Sequence, residues 1–528
     1  MKMNSILLLA FSALTFVVGL ELESNSNKFV KLDLSKPSDS TGSGLIKRYN
    51  ENNTPIRLDH GKDYYSVVLE IGTPPQKIEV LLDTGSSDLW IMANDSFACS
   101  GSYEYMAENT KYYACDEHGT FVSKDSSTFH SNGTDFGVTY GDKTSVTGTW
   151  AMDTVRIGNL NITSASFGLA NDANSTMGIL GIGLPAGEST YAGSNSFYQV
   201  AKNVTQTGQI RYKSHSGDIL KNGSYYQYNN LPMMMKQSGN IDYIAYSIFL
   251  HDPDVDRGSI LFGALNRTQY TGNLYTLPIK NTLEDIGIEK PVSFSIDLYG
   301  LGVTKKGSKE TVATTNMTAL LDTGTTFTYL PVEIIEGILE KFYPSYSSLY
   351  GLYFIDDCSA GNDYNLIFDF GGVHISTPMS NFIAEERDKC YLTMMESVGG
   401  AILGQTFFKS AYVVYDLEKY EISLAQGNIE DTKDKKKHKN DDTADVPSIQ
   451  VFSTGIPGAI KPVQAQSRNI STSTFMLGGD IFTLTDSSFY SQTSDITSAK
   501  SKNKKNAAVL STPFIEPSLL MVFLSFFV

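Results

Sequence analysis

The chain has 528 residues, a formal net charge of −16, 41% hydrophobic and 19% charged residues, and 4 cysteines. Its length predicts two or three domains with a substantial core, and its composition excludes a disordered, collagen-like or disulfide-scaffold protein. The acidic balance without a clustered basic face argues against nucleic acid or an anionic membrane surface as a partner. Cationic peptides or proteins are left as candidate ligands.

The N-terminal segment, residues 1–19, has the features of a secretory signal peptide. Lys2 precedes an apolar run from Ile6 to Val18, and Gly19 is a small residue near a cleavage point. Residues 20–48 are predicted to form the pro-segment of a zymogen. They end at the pair Lys47-Arg48, where a dibasic-specific processing protease would cut; the alternative is that these are two solvated surface charges.

The main body, from Tyr64 to about Ala425, consists of short β-rich apolar runs separated by Gly and Pro turns, which predicts a mostly β fold. Pro331 to Phe342 is one of few stretches with the spacing of an amphipathic helix.

The 4 cysteines allow two disulfides with three possible pairings in an oxidising compartment. Pairing of sequence neighbours, Cys99 with Cys115 and Cys358 with Cys390, is the simplest. Because no CxxC or adjacent His pair accompanies them, a zinc site has little support. We predict no bound metal and no cofactor.

The C-terminal part carries two further features. Residues 428–506 are polar and rich in Ser and Thr, which predicts a mobile stalk. Residues 507–528 fit a GPI-anchor signal removed on maturation: Asn506, Ala507 and Ala508 are small, and a spacer separates them from an apolar tail too short to span a bilayer. Asn506 is the predicted attachment site for the GPI lipid, although a frayed hydrophobic terminus is the alternative. The predicted location is the extracellular face of the plasma membrane or, alternatively, the cell wall.

N-glycosylation sequons occur throughout the chain and predict exposed positions in a secreted protein. They lie at Asn52, Asn94, Asn132, Asn161, Asn174, Asn203, Asn222, Asn266, Asn316 and Asn469.

The strongest signal is an internal repeat. The sequence LLDTGSS at residues 81–87 returns as LLDTGTT at residues 320–326. An Ile-Leu-Gly strand follows each copy, within residues 178–181 and 401–404. Two lobes of similar design are implied, at residues 49–245 and 246–427.

Each residue type in the repeat has a chemical reason. The apolar strand before each aspartate, Asp83 and Asp322, delivers its carboxylate to a fixed point. Gly85 and Gly324 let backbone N–H groups point at the carboxylates. Ser86 and Thr325 can donate hydroxyl hydrogen bonds to the outer carboxylate oxygens. Thr84 and Thr323 can tie the two loops together by hydrogen bonds.

Two carboxyls held about 3 Å apart cannot both ionise, so the pair keeps one shared proton over a wide pH range. The ionised member can take a proton from a water that attacks a peptide carbonyl. The protonated member can donate a hydrogen bond to the carbonyl oxygen.

Over about residues 62 to 427 the sequence resembles pepsin-type aspartic proteases. Tyr140-Gly141 lies where that family has its flap, and further matches are GTW at 148–150, DTV at 153–155, GSILFG at 258–263 and residues 407–416. With its flanking segments, the chain is most similar to fungal yapsins and secreted aspartic proteases. Residues 95–130 and 187–230 look longer than compact members need.

The resemblance implies a bilobal fold with two pseudo-symmetric lobes and a central cleft. It implies an aspartic endopeptidase acting on proteins or peptides, with Asp83 and Asp322 as catalytic residues and Tyr140 covering the substrate; we expect a monomer. One alternative is that Tyr140 is a core aromatic residue. Another is that the chain is a catalytically silent surface binding or adhesion protein; the two intact D-T-G motifs argue against this interpretation.

Asp142, two positions after Tyr140, is the candidate for substrate preference. A carboxylate on the flap favours Lys or Arg just before the scissile bond, and yapsin-like enzymes cleave after basic residues. The alternative is that Asp142 is an ordinary turn residue after Gly141.

Overall fold

The computed structural model describes residues 28–35, 46–49, 55–58, 64–96, 99, 118–141, 144–158, 160–188, 228–250, 257–284, 289–342, 344–347, 352–386, 389–428, 448–462 and 475–482. Across these ranges, no helix is both long and apolar enough to cross a membrane.

β-strands dominate the first half of the described chain. They are β1 (Val30–Ser35), β2 (Ile46–Tyr49), β3 (Pro55–Leu58), β4 (Ser66–Ile71), β5 (Gln76–Asp83), β6 (Leu89–Met92), β7 (His130–Thr139), β8 (Ser145–Ile157), β9 (Leu160–Ala173) and β10 (Gly178–Gly181).

Strands also dominate the second half. They are β11 (Ala245–Leu250), β12 (Arg257–Phe262), β13 (Ala264–Asn266), β14 (Tyr270–Pro278), β15 (Ser295–Lys305), β16 (Ser308–Leu321), β17 (Thr328–Pro331), β18 (Ser345–Ser347), β19 (Leu352–Ile355), β20 (Tyr364–Asp369), β21 (His374–Pro378), β22 (Ile383–Glu386), β23 (Lys389–Leu392), β24 (Met394–Ser397), β25 (Ala401–Leu403), β26 (Ala411–Asp416), β27 (Glu421–Gly427), β28 (Ile449–Val451), β29 (Ala459–Ile460) and β30 (Phe475–Leu477). The mostly β prediction is confirmed.

The α-helices of the described residues are short: α1 (Leu231–Gln237), α2 (Val332–Leu339) and α3 (Gln405–Phe408). The helix α2 lies within the predicted segment Pro331 to Phe342. Its apolar face is buried, because Ile334, Ile335 and Ile338 recur at helical spacing.

Two large sheets carry the fold. A 14-stranded sheet runs through both halves of the chain in the order β29-β14-β27-β26-β11-β12-β1-β4-β5-β10-β6-β9-β8-β7. An 8-stranded sheet of the second half runs β21-β20-β15-β16-β25-β17-β24, with β30 also paired to β16. The predicted boundary between residues 245 and 246 falls at the start of β11, inside the larger sheet.

The internal repeat is visible in the strand pairing. In the first half, β10 lies parallel to β5 and antiparallel to β6. In the second half, β25 lies parallel to β16 and antiparallel to β17. Each Ile-Leu-Gly strand therefore lies between the strand that leads into a D-T-G sequence and the strand that follows it, which confirms two lobes of similar design.

The predicted pro-segment contributes a strand to the larger sheet. β1 pairs antiparallel with β12 over six residue pairs, from Val30 with Phe262 to Ser35 with Arg257, and also contacts β4. Leu32 and Leu34 are buried. Cutting the chain at Lys47-Arg48 would therefore leave β1 still hydrogen-bonded to the body.

The region predicted as a stalk also packs on the body in part. Residues 448–462 and 475–482, here called the C-terminal clamp, pair β28 with β13, β29 with β14 and β30 with β16. Phe452 and Ile481 are fully buried. This corrects the interpretation of residues 428–506 as one mobile stalk: isolated apolar residues in a polar sequence do not signal burial, yet here they fill sites on the second lobe.

Candidate active site

The two strands that precede the D-T-G sequences end side by side. β5 ends at Asp83, and Asp322 follows directly after β16. The backbone N–H of Ile182 donates to the carbonyl oxygen of Asp83 at 2.9 Å, and the N–H of Asp322 donates to the carbonyl oxygen of Leu403 at 3.1 Å. The Ile-Leu-Gly strands thus fix the backbone at both aspartates.

Each carboxylate receives the same pair of hydrogen bonds. Asp83 accepts from the Gly85 N–H at 2.7 Å and from the Ser86 hydroxyl at 2.5 Å. Asp322 accepts from the Gly324 N–H at 2.8 Å and from the Thr325 hydroxyl at 2.5 Å. Each carboxylate thus has one backbone N–H donor and one hydroxyl donor from the residues that follow it in the chain.

The glycines are required because the opposite carboxylate approaches them closely. A Cβ atom on Gly85 would lie 2.6 Å from Cγ of Asp322, and one on Gly324 would lie 2.4 Å from Oδ1 of Asp83. Such contacts are far inside van der Waals distance, so any side chain here would push the two aspartates apart.

Thr84 and Thr323 cross-link the two loops symmetrically. The N–H of Thr84 donates to Oγ1 of Thr323 at 3.1 Å, and the N–H of Thr323 donates to Oγ1 of Thr84 at 3.0 Å. The hydroxyls in turn donate to the carbonyl oxygens of Leu321 and Leu82. Because all four bonds are buried, they hold the carboxyls in a fixed relative position.

The electrostatics favour a shared proton. Burial raises the pKa of Asp83 well above its ordinary value, and the charge of Asp322 and a hydrogen bond to it raise that pKa further. The donors Ser86 and Gly85 act in the opposite direction but do not offset these effects. The pair therefore retains one proton at pH values where isolated carboxyls have lost theirs.

Tyr140 lies close to the carboxyl pair. Its hydroxyl accepts a hydrogen bond of 2.8 Å from Nε1 of Trp90, which belongs to β6 after the first D-T-G sequence. Burial, then the charges of Asp83 and Asp88, raise the pKa of the Tyr140 hydroxyl well above its ordinary value. The chain turns at Gly141, whereas Asp142 lies outside the described residues.

Comparison with known proteins agrees with this geometry. The profile of the eukaryotic aspartyl protease family matches residues 64–427. The chain belongs to this family. Aspartic proteinase 3 of Saccharomyces cerevisiae is 34% identical over 95% of both chains. Yapsin-3 of the same yeast is 36% identical over 86% of this chain and 81% of its own, and secreted aspartic protease 10 of Candida albicans is 29% identical over 83% and 87%. The protein is an aspartic endopeptidase, and its yapsin resemblance and bilobal fold are confirmed.

Other residues of this aspartyl protease also contact the D-T-G loops but carry no motif. The Tyr415 hydroxyl donates to the carbonyl oxygen of Leu321 at 3.2 Å, and Nε2 of Gln405 donates to that of Thr323 at 2.9 Å. Tyr246 packs against Tyr415 with ring centroids 5.1 Å apart. Gln405 directly follows the second Ile-Leu-Gly strand, so its position next to that motif is a signal that the sequence carries. The two tyrosines have no such signal, because in the sequence they look like ordinary core residues.

The remaining predicted sites of the protease are the cysteines, the processing pair and the GPI attachment residue. Cys358 and Cys390 form a disulfide, as predicted. Cys99 is disulfide-bonded, but Cys115 lies outside the described residues, so their pairing stays a prediction. Lys47 and Arg48 lie in β2, and Asn506 lies outside the described residues.

Some sequons of the protease are accessible. Asn94, Asn161, Asn174 and Asn316 are exposed, whereas Asn266 is half-buried and its Oδ1 accepts from the Thr268 hydroxyl. Asn132 lies in β7. The other four, Asn52, Asn203, Asn222 and Asn469, lie outside the described residues. Glycosylation of each stays a prediction.

Proposed function

We propose that this protein is a cell-surface aspartic endopeptidase in which Asp83 and Asp322 activate water and which favours peptide bonds after Lys or Arg. The observation that supports the catalytic assignment is the pair of buried carboxyls, in contact with each other and each with one N–H and one hydroxyl donor.

The geometry leads to a simple mechanism. A water bound between the carboxyls gives a proton to the ionised member while its oxygen attacks the peptide carbonyl carbon. The protonated member transfers its proton to the carbonyl oxygen, and the product is a tetrahedral diol. As the C–N bond breaks, the proton taken from water passes to the leaving amine, and one diol hydroxyl returns its proton to the other carboxylate, which restores the one-proton pair and leaves a carboxylic acid product. Ser86 and Thr325 orient the outer carboxylate oxygens throughout.

The direct test is hydrolysis of a fluorogenic peptide by the purified mature protein, with and without pepstatin. Turnover that pepstatin abolishes supports the proposal. A folded mature protein without turnover on any basic or hydrophobic peptide would favour the catalytically silent adhesion protein instead.

The preference for basic residues is assigned to Asp142. A carboxylate two residues after Tyr140 can pair with Lys or Arg on the substrate, and a net charge of −16 favours cationic substrates. We expect Asp142→Ala to lower kcat/KM after Lys or Arg about tenfold, or 1.4 kcal/mol, and to spare cleavage after Leu or Phe. Kinetics on matched peptides that differ only at this residue would measure the ratio.

Asp135→Ala is the matched control for this test. Asp135 is an exposed carboxylate on β7, so its removal changes the net charge equally without changing the residues next to Tyr140. An equal loss on both peptide types in Asp142→Ala would indicate flap geometry rather than charge. No loss would place the preference elsewhere in the cleft.

The cell-surface location is supported by the N-terminal apolar run, the sequons and the sequence around Asn506. In this proposal the pro-segment is cut after Arg48 by a dibasic-specific protease, and a GPI lipid on Asn506 holds the enzyme outside the cell. Deleting residues 507–528 should release active enzyme into the medium, because the carboxyl pair and the clamp lie upstream. Activity in medium and membrane fractions, compared with the full chain, would measure this, and a truncated protein that stays on membranes would contradict it.

A further inference from the structure

A third carboxylate lies near the catalytic pair. Asp88 follows Asp83 by five residues and is buried. Its Oδ1 accepts a hydrogen bond of 2.7 Å from the hydroxyl of Tyr228, which is 8% exposed. The backbone N–H of Tyr228 donates to Oε2 of the buried Glu188 at 3.2 Å. Tyr228 is therefore held to the first D-T-G loop by its hydroxyl and to Glu188 by its backbone.

The ring of Tyr228 reaches the hairpin that carries Tyr140. It packs edge-on against Trp150 with ring centroids 5.2 Å apart, and Trp150 packs edge-on against Phe136 at 4.9 Å. Phe136 lies in β7 and Trp150 in β8, which pair antiparallel on either side of Tyr140. One side chain thus contacts both the first D-T-G loop and the base of the hairpin.

The hairpin has a separate connection at its tip. There, Trp90 donates directly to the Tyr140 hydroxyl. The backbone of β8 is also hydrogen-bonded to β9, from Val146 with Ala173 to Ile157 with Leu160, so Tyr228 adds a side-chain connection between this hairpin and the first D-T-G loop. Burial raises the pKa of Glu188 well above its ordinary value, and the charge of Asp88 raises it further; Asp88 also contributes, after burial and Asp83, to the raised pKa of Tyr140.

We propose that Tyr228 is a positioning residue that fixes the flap hairpin relative to the loop of Asp83, through its hydroxyl bond to Asp88 and its ring contact with Trp150. The inference rests on the proposed role of Tyr140 as the flap residue. Phenylalanine would keep the ring contact but could not donate to Asp88, so the buried carboxylate would lose a donor and the connection through Tyr228 between the loop and the hairpin would be broken.

The carboxyl pair itself does not depend on Tyr228, since its hydrogen bonds come from Gly85, Ser86, Gly324 and Thr325. Loosening the flap should therefore weaken substrate binding more than the chemical step. We expect Tyr228→Phe to raise KM, and the Ki of pepstatin, about five- to tenfold, while kcat changes less than threefold.

Tyr243→Phe is the matched control. Tyr243 is also buried, and its hydroxyl donates to both carboxylate oxygens of Asp416, at 3.1 and 2.9 Å. Asp416 ends β26, which lies toward the opposite end of the 14-stranded sheet from β7 and β8. Both variants remove one hydroxyl from a buried carboxylate, so both should lower the melting temperature. Only Tyr228→Phe should change KM.

Asp88→Asn provides a second variant that keeps the shape of the site. It weakens the same hydrogen bond, so it should raise KM in the same direction, and adding Tyr228→Phe to it should raise KM less than twofold more. Equal KM values in Tyr228→Phe and Tyr243→Phe would overturn the inference. Additive effects of Asp88→Asn and Tyr228→Phe on KM would also overturn it, as would a fall in kcat at unchanged KM in Tyr228→Phe. A wild-type protein without turnover would instead overturn the proposed function.

Discussion

Asp83→Asn and Asp322→Asn are each expected to abolish turnover, with a loss of about a thousandfold or more in kcat. A shared proton needs two carboxyls, so neither single variant can act as both base and acid. The double variant should be no worse than either single one, because the pair works as one unit. Single-turnover and steady-state hydrolysis of one fluorogenic peptide would measure all three.

Asp153→Asn is the control for this series. Asp153 is a buried carboxylate of the first lobe that accepts from the Ser126 and Thr128 hydroxyls. Its loss should lower stability and leave kcat within about threefold. Retention of most activity by a folded Asp83→Asn or Asp322→Asn protein would refute the catalytic assignment.

The wild-type enzyme should also show a pH limit set by the pair. Because the pKa of Asp83 is raised, its proton is retained at low pH and lost as the pH rises through the raised value. The activity kcat/KM should therefore fall on the alkaline side, and an activity that rises there would contradict a shared-proton mechanism.

Truncation after Gly427 is expected to destabilise the protein strongly, although Gly427 ends the family match. It removes the C-terminal clamp, and with it the fully buried Phe452 and Ile481. Emptying such sites costs about 3 kcal/mol or more each, and the exposed edges of β13 and β14 would favour aggregation. Thermal unfolding should show a melting temperature about 10 °C lower.

A chain that ends at Phe482 is the control, since it keeps every clamp contact of the described residues. It should melt like the full chain and retain turnover. The point variants Phe452→Ala and Ile481→Ala should each reproduce part of the loss. Equal melting temperatures for the chains ending at Gly427 and Phe482 would show that the clamp contributes nothing to stability.

The sequence by itself determined the fold class and the position of the carboxyl pair that we propose as the catalytic centre. The D-T-G repeats at Asp83 and Asp322 are local patterns in which an apolar strand, a glycine and a hydroxyl residue suffice to define the carboxylate and its donors. The helix α2 was also predicted from a local pattern, the helical spacing of its apolar residues. The pairing of Cys358 with Cys390 also agreed with simple sequence proximity.

Only the tertiary structure decided the contacts between residues distant in the chain. Tyr228 lies 140 residues from Asp88, and nothing in its local sequence distinguishes it from a core tyrosine. The clamp gave no periodic signal either, because Phe452 and Ile481 are single apolar residues whose burial depends on sites that the second lobe supplies. Local patterns specify groups that act through their own neighbours, whereas positioning and burial depend on the partners that folding brings together.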